Sequence, residues 1–315
     1  MARQYITKKL TFMAHLAWLS LVGIFLMLSA LAIPSLAPIA GSHFFWVFFI
    51  PPFLMAIVLV QRNKRLLKKR DDQMLTFATQ HGLKIEPDGN ADVFTKLGAI
   101  DELGEVRDKK VRNLVHGKDW LYYDFSYTLY ARAKHGEYKG ATVYYGVMAT
   151  TLPRSLPNVF FDSMKARHRQ FRFHFSKSQR HSLEGNFDEH FATYFPPDYT
   201  IDGMSFISPD VMLKLRDASD YDIEIVGDQL FMYGPLYDPE AQLADMATKI
   251  AAIKKELLDN ILTYRDDRLP YAQGRQTVAA QGASLKVSKF WSTVTAVTIL
   301  LFIILRIITS IWLET

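Results

Sequence analysis

The sequence predicts an α+β domain, a mixed α/β fold on a mainly antiparallel, aromatic-rich sheet, together with three transmembrane helices, two as an N-terminal hairpin and one C-terminal. Three observations predict it. Residues 10–61 and 290–305 hold no Asp, Glu, Lys or Arg. Between them, several segments alternate apolar and polar residues with the period of two that a half-buried strand requires. Two others repeat apolar residues every three or four positions behind a Ser-Pro or Asp-Pro start, the mark of a capped amphipathic helix.

The first charge-free stretch divides in two. Residues 11–33 would extend about 34 Å as a helix and residues 43–60 about 27 Å, so each can cross a hydrocarbon core of about 30 Å. Pro34, Pro38, Gly41 and Ser42 break the chain between them, which makes a hairpin. Pro51 and Pro52 must bend or divide the second span, and a re-entrant segment is the alternative there. A cleavable signal peptide competes for the N-terminus, but the apolar run is long for that role.

Cations set the orientation. Residues 1–70 carry nine Lys or Arg and no acid. Arg3, Lys8 and Lys9 precede the first span, and Arg62, Lys64, Arg65, Lys68, Lys69 and Arg70 follow the second. Lys286 and Lys289 precede the last span, residues 290–313. The eight cations from Arg62 to Arg70 and at 286 and 289 are therefore expected at the inner leaflet. The N-terminus and central domain would then be cytoplasmic and the C-terminus outside, in a multi-pass inner-membrane protein. Arg306 lies near the outer end of the last span, where its stem can carry the charge to the interface. With the nine N-terminal cations and the net +2 of residues 286–315 taken from the total of +5, residues 71–285 are left at −6. A nucleic-acid partner is excluded on that balance, since it needs a basic footprint on the folded part. The absence of cysteine removes disulfides, thiolate nucleophiles and cysteine-ligated metals.

The organisation expected is thus a hairpin over residues 1–70, a domain over 71–268, a linker over 269–289 and a last span over 290–315. Within the domain, residues 72–81 read as a helix ended by Gly82. Residues 84–86 extend as a strand before a turn at 87–90. Residues 120–130 place Leu121, Tyr123, Phe125, Tyr127 and Leu129 on one face of a long strand, and residues 142–151 alternate likewise before an extended exit past Pro153 and Pro157. Residues 170–175 put Phe171, Phe173 and Phe175 opposite Arg172 and His174. Residues 201–207 read as a strand. Ser208, Pro209 and Asp210 then open a helix to about Ala218. Residues 221–226 and 230–233 read as a hairpin over Gly227, Asp228 and Gln229. Asp238, Pro239 and Glu240 open the last helix, with Leu243, Met246, Ile250, Ile253, Leu257 and Ile261 as its apolar stripe, suited to packing on the sheet.

Residues 182–234 read SLEGNFDEHFATYFPPDYTIDGMSFISPDVMLKLRDASDYDIEIVGDQLFMYG. LEG before an acidic and aromatic run, an aromatic-proline stretch, SPDVM opening a helix and the DIEIVGDQLFMY segment resemble uncharacterised bacterial membrane-anchored proteins that carry domain of unknown function 3137. The aromatic segments WLYYDFSYTLY and TVYYGVMATTLPRSLPNVFF upstream are similar to the strands that precede it there. The resemblance covers about half the chain. It implies membrane anchoring and brings no catalytic residue with it.

No Walker loop, GxGxxG, HExxH or GxSxG motif occurs. No catalytic, cofactor-binding or metal residue is assigned, and no cofactor is expected. Asp188, Glu189 and His190 are adjacent, so they point different ways and read as a solvated turn. His168, His174 and His181 sit among Arg and Lys, which disfavours a bound cation. Arg167, Arg169, Arg172, Lys177 and Arg180 form a basic strip that could dock lipid headgroups, or simply face solvent. The function expected is a membrane-tethered binding or scaffolding module whose partners are the bilayer and an unidentified protein. A hydrolase or transferase of unrecognised type, and an envelope sensor, are the alternatives.

Overall fold

The structure, a computed structural model, describes residues 43–89, 106–133, 136–165, 175–262, 264–269 and 278–286. The first and last expected spans, residues 170–174 with the strand read there, and Arg167, Arg169, Arg172 and Lys289 lie outside the described residues. The fold is α+β with an antiparallel sheet, and it divides into two compact units.

The first unit comprises Met1–Thr95, Glu105–Thr150 and Met232–Ala251. Helix α1, His43–Gln80, runs unbroken for 38 residues, joining what the sequence separates into a span and a later helix. It ends in a Schellman arrangement. Gly82 takes φ +62°, its amide donates to Thr79 O at 3.3 Å, and the Leu83 amide donates to Ala78 O at 2.8 Å. Arg70, Met74 and Ala78, four residues apart, form its buried stripe. Among the described residues no helix is long and apolar enough to cross a membrane. The sheet follows with β1, Lys84–Gly89, β2, Val106–His116, β3, Leu121–Ala133, and β4, Gly136–Ser163, each antiparallel to the one before it. β1 continues through Pro87, where a turn is expected from sequence, because an edge strand tolerates a residue without an amide hydrogen. Tyr123, Phe125 and Tyr127 of β3 are fully buried with Val143, Tyr145 and Val147 of β4. Phe125 and Tyr127 lie 5.9 Å apart, and Tyr127 stacks on Tyr145 at 6.3 Å.

The second unit comprises Lys96–Gly104, Thr151–Phe231 and Ala252–Thr315. The later half of β4 pairs with β6, Phe191–Tyr194, which pairs with the short β5, Arg180–His181. Phe161, Phe187 and Phe191 pack with centroids 5.4 to 6.1 Å apart. Two expectations are overturned. Residues 201–207 are a helix, α2, Thr200–Phe206, in which Gly203 and Phe206 are buried three apart while Ile201 is 85% exposed. A seven-residue segment is too short for period to decide, and Gly203 decides it by letting the helix lie against the Phe195 ring. The expected hairpin over 227–229 is one strand, β7, Asp222–Gly234, that pairs with β4. Gly227 takes φ +57° within the strand, and the chain runs on instead of turning back.

Helix α3, Pro209–Asp217, starts as expected, with Ser208 Oγ accepting the Val211 amide at 3.4 Å. Helix α4, Pro239–Ile261, buries all six residues of its predicted stripe. Of the stretch expected as a linker, residues 269 and 278–286 are described, and Lys286 is bonded to Gln179. Gln179 Nε2 donates to Lys286 O at 2.7 Å, and the Lys286 amide donates to Gln179 Oε1 at 2.8 Å.

Candidate functional site

Over residues 122–128, β3 is buried on both faces. Opposite its aromatic side, Tyr122, Asp124, Ser126 and Thr128 form a polar face with no more than 7% of any residue exposed. The register sets Gly146, Tyr144 and Thr142 of β4 opposite Asp124, Ser126 and Thr128, and Arg112 and Lys110 of β2 opposite Asp124 and Ser126. Buried polar atoms need partners, and α1 delivers them.

Arg70 is fully buried. Its Nε donates to Asp124 Oδ2 at 2.7 Å, and its Nη2 donates to Asp124 Oδ1 at 2.8 Å, the parallel fork that guanidinium and carboxylate geometry favours. The same Nη2 reaches Tyr122 OH at 2.7 Å and Gln242 Oε1 at 3.0 Å, while Nη1 donates to the Tyr237 carbonyl. Gln242 in turn donates to Pro235 O at 3.0 Å and accepts the Tyr237 amide at 3.3 Å. Burial by itself disfavours the Arg70 charge, but Asp124 and Tyr122 outweigh it and raise the pKa, so the guanidinium stays protonated. Burial likewise pushes the Tyr122 hydroxyl well above its ordinary value, leaving a neutral phenol that donates to Asp124 Oδ1 at 2.9 Å.

Two bulges in β2 widen this network. The register shifts between Arg107 and Lys110 and again between Arg112 and Val115, with Asp108 and Asn113 both at φ 53°. Asp and Asn are the side chains that tolerate that region best. The second bulge aims Asn113 Nδ2 at Asp124 Oδ2, 3.0 Å, and at Asp71 Oδ1, 2.8 Å. Asp71 also receives Arg112. Its carboxyl is raised by burial, against the lowering effect of Asn113 and Arg112.

Nε, Nη1 and Nη2 of Arg70 all find acceptors inside the protein, so the network is a clamp between helix and sheet. Beside it the same polar face opens into a groove of about 800 Å³ under Leu67 of α1. Ser126, Thr128, Thr142 and Tyr144 line it from β3 and β4; Lys109, Lys110 and Arg112 line it from β2; and Asp88 and Asp108 add two acids. A second cleft of about 320 Å³ lies between α1 and the start of α4, around Gln73, Phe77 and Glu240.

The expected leaflet cations divide. Arg62, Lys64, Arg65, Lys68, Lys69 and Lys286 are exposed, but Arg70 is not a surface residue, because Asp124 on β3 holds it inside. Of the expected basic strip, Lys177 and Arg180 are described and exposed. Asp188 is engaged by Ser182 and by the Leu183 amide, and His181 Nε2 lies 3.1 Å from Thr200 Oγ1. Among the described residues no group of three His, Cys, Asp or Glu could hold a metal. Sequence reasoning missed Asp124, Ser126, Thr128, Lys110 and Arg112. The available signal was the polar half of the β3 alternation, which reads as a solvated face when nothing in the sequence shows what covers it.

The second unit has its own polar cluster. Tyr199 OH donates to Asp266 Oδ2 at 2.7 Å, and the Ala279 amide reaches the same oxygen at 2.9 Å. Arg268 bonds Asp202 at 3.1 Å and lies 4.1 Å over the Tyr199 ring. Burial opposes the Asp266 charge, but the Ala279 amide, Tyr199 and Arg268 overcome it and hold the pKa below the usual aspartate range. These groups are satisfied by one another and tie separate segments together.

No family model matches the chain, and no curated protein matches it. Among solved structures, one described as the crystal structure of the mycobacterial trehalose monomycolate transport factor A, TtfA, is similar at 11% identity and a TM-score of 0.39, over 59% of this chain and 93% of that one.

Proposed function

We propose that the protein is a bilayer-tethered binding module, with its folded part on the cytoplasmic side and its groove as the binding surface. One observation carries the reading: α1 joins the charge-free segment to the sheet as a single helix. Its described apolar side chains, Leu54, Ile57, Val58 and Val60, are exposed. Exposed cations follow within a turn, and then Arg70 locks the helix into the domain. Exposed apolar side chains need an apolar surround, and cations beside them suit an anionic leaflet. A helix clamped in this way holds the groove at a set height above the bilayer instead of on a loose leash.

The chain has no cysteine, so single probes can be placed freely. Asp228→Cys and Glu240→Cys, both exposed positions, should escape a membrane-impermeant maleimide in intact cells and react once the inner membrane is permeabilised. The protein should also stay in the membrane pellet through alkaline carbonate. Labelling of intact cells would overturn the orientation, and release by carbonate would overturn the tether.

A further inference from the structure

We infer that the second unit rests on an anionic leaflet through a basic surface made by Lys177, Arg180 and Lys286, at the place where the chain leaves the unit for residues 290–313. The inference rests on the tether reading and on residues 290–313 entering the same bilayer.

A buried amide fixes the place. Gln179 is fully buried, and its side chain takes both backbone groups of Lys286, donating to the carbonyl at 2.7 Å and accepting the amide at 2.8 Å. The Ser176 amide donates to the same carbonyl at 3.3 Å. Leu285 is buried beside Lys286, and Gly282 lies against the Tyr199 ring. Release of Lys286 would leave the Gln179 donor and acceptor unpaired, so the exit stays at the 3-10 turn Lys177–Gln179. In the sequence Lys286 stands 107 positions from Gln179, and only the fold joins it to Lys177 and Arg180.

Length then limits how far this turn can stand from lipid. Residue 290 opens the charge-free run four positions after Lys286, and four extended residues reach about 14 Å. One leaflet's headgroup region takes up about 5–8 Å of that reach. At most about 6–9 Å of water can separate Lys286 from the headgroups, which is about one Debye length at physiological salt.

Charge decides whether the gap closes. Residues 71–285 carry a net −6, so an anionic leaflet repels the folded part as a whole and can hold it only through a local excess of cations. Lys177, Arg180 and Lys286 are exposed, and among the described residues none of them is ion-paired. Glu184 and Asp188 lie past β5, at the end of that strand away from Lys177, and Asp188 is engaged by Ser182. Asp198 is exposed and pairs with none of the three. Near anionic lipid each such cation favours contact about fivefold.

The test uses the full chain in nanodiscs of phosphatidylcholine with or without phosphatidylglycerol. Ser178→Cys, an exposed position between Lys177 and Gln179, carries a fluorophore, and a collisional quencher sits at headgroup level. Strong quenching is expected with phosphatidylglycerol, weak quenching in phosphatidylcholine alone, and a loss of the difference at high salt. Lys177→Gln/Arg180→Gln should lower the ratio of docked to undocked chain about 25-fold without changing the melting temperature, and Lys177→Arg/Arg180→Lys should restore it. Quenching that ignores lipid charge, or that survives Lys177→Gln/Arg180→Gln, would overturn the surface. A chain that enters the nanodisc with its label unquenched would overturn this surface and leave the tether standing. A chain that does not enter would overturn both.

Discussion

An arginine that follows exposed cations along one helix would share their solvent if helix phase did not turn it inward, and Arg70 is turned onto the carboxylate of Asp124. Such a pair stabilises little relative to an apolar isostere, but removing one member leaves the other buried and unpaired. Arg70→Met should therefore cost about 3–5 kcal/mol, and Arg70→Met/Asp124→Leu less than the two single changes together, as measured by urea unfolding of the detergent-solubilised protein. Strict additivity would show that the pair is not coupled. Gly146 faces the same network, and a Cβ there would run into Gln242 and Tyr122, both committed to Arg70. Gly146→Ala should lose about 1–3 kcal/mol, the usual range for overpacking. In the second unit, burial and then Asp162 push the Asp222 carboxyl well above the usual aspartate range, while it accepts the Ser163 amide at 2.8 Å. An acid whose pKa is higher folded than unfolded holds more proton in the native state, so it erodes stability as pH climbs from about 4 through the raised value. Asp222→Asn keeps the acceptor oxygen and removes the titration. Its melting temperature should fall less than the wild type's between pH 5 and 8, and parallel curves would refute the coupling. At this scale the aromatic core was legible, since Tyr123, Phe125 and Tyr127 follow from alternation alone. The clamp was not, because Arg70 reads as one more juxtamembrane cation and its partner Asp124 is 54 positions away.

Elements with a local cause were read correctly and those that depend on tertiary partners were not. The stripe of α4 needs only its period, and the start of α3 needs only Ser208-Pro209, whose hydroxyl accepts the Val211 amide. That cap is held from the other side by Asn260, whose Nδ2 donates to Ser208 Oγ at 3.1 Å and to Phe206 O at 3.2 Å. Ser208→Ala should cost about 1–2 kcal/mol, the upper part of the range for caps, because it also strips Asn260 of a partner. In Asn260→Ala the additional cost of Ser208→Ala should drop, and an undiminished cost would show that the two do not cooperate. By contrast, α2 and β7 depend on contacts distant in sequence. Ile201 looks apolar enough for a buried strand, but the Gly203 contact with Phe195 sets the helix and leaves Ile201 outside. Gly-Asp-Gln at 227–229 has turn chemistry, yet β7 runs through it and pairs with β4, with Gly227 in the left-handed conformation.

For the molecule as a whole, the continuity of α1 has a mechanical consequence that composition could not show. Charge-free and basic segments are visible in the sequence, but only the unbroken helix and the Arg70 clamp join them rigidly to the sheet, and on the proposed tether that would make the height of the groove above the leaflet a set distance. Seven helix-favouring residues inserted after Gln61 would lift the groove by about 10 Å and leave its rotation within about 20° of the original. In nanodiscs with a headgroup-level collisional quencher, a fluorophore on Lys110→Cys, an exposed position, should be quenched, and the insertion variant should lose most of that quenching. The same variant should keep the wild type's urea midpoint in detergent, since the clamp itself is untouched. Undiminished quenching after the lift would mean that α1 does not hold the domain at a given depth. A lowered urea midpoint as well would mean that the insertion has disturbed the clamp, and the destabilisation of Arg70→Met provides the reference for recognising that.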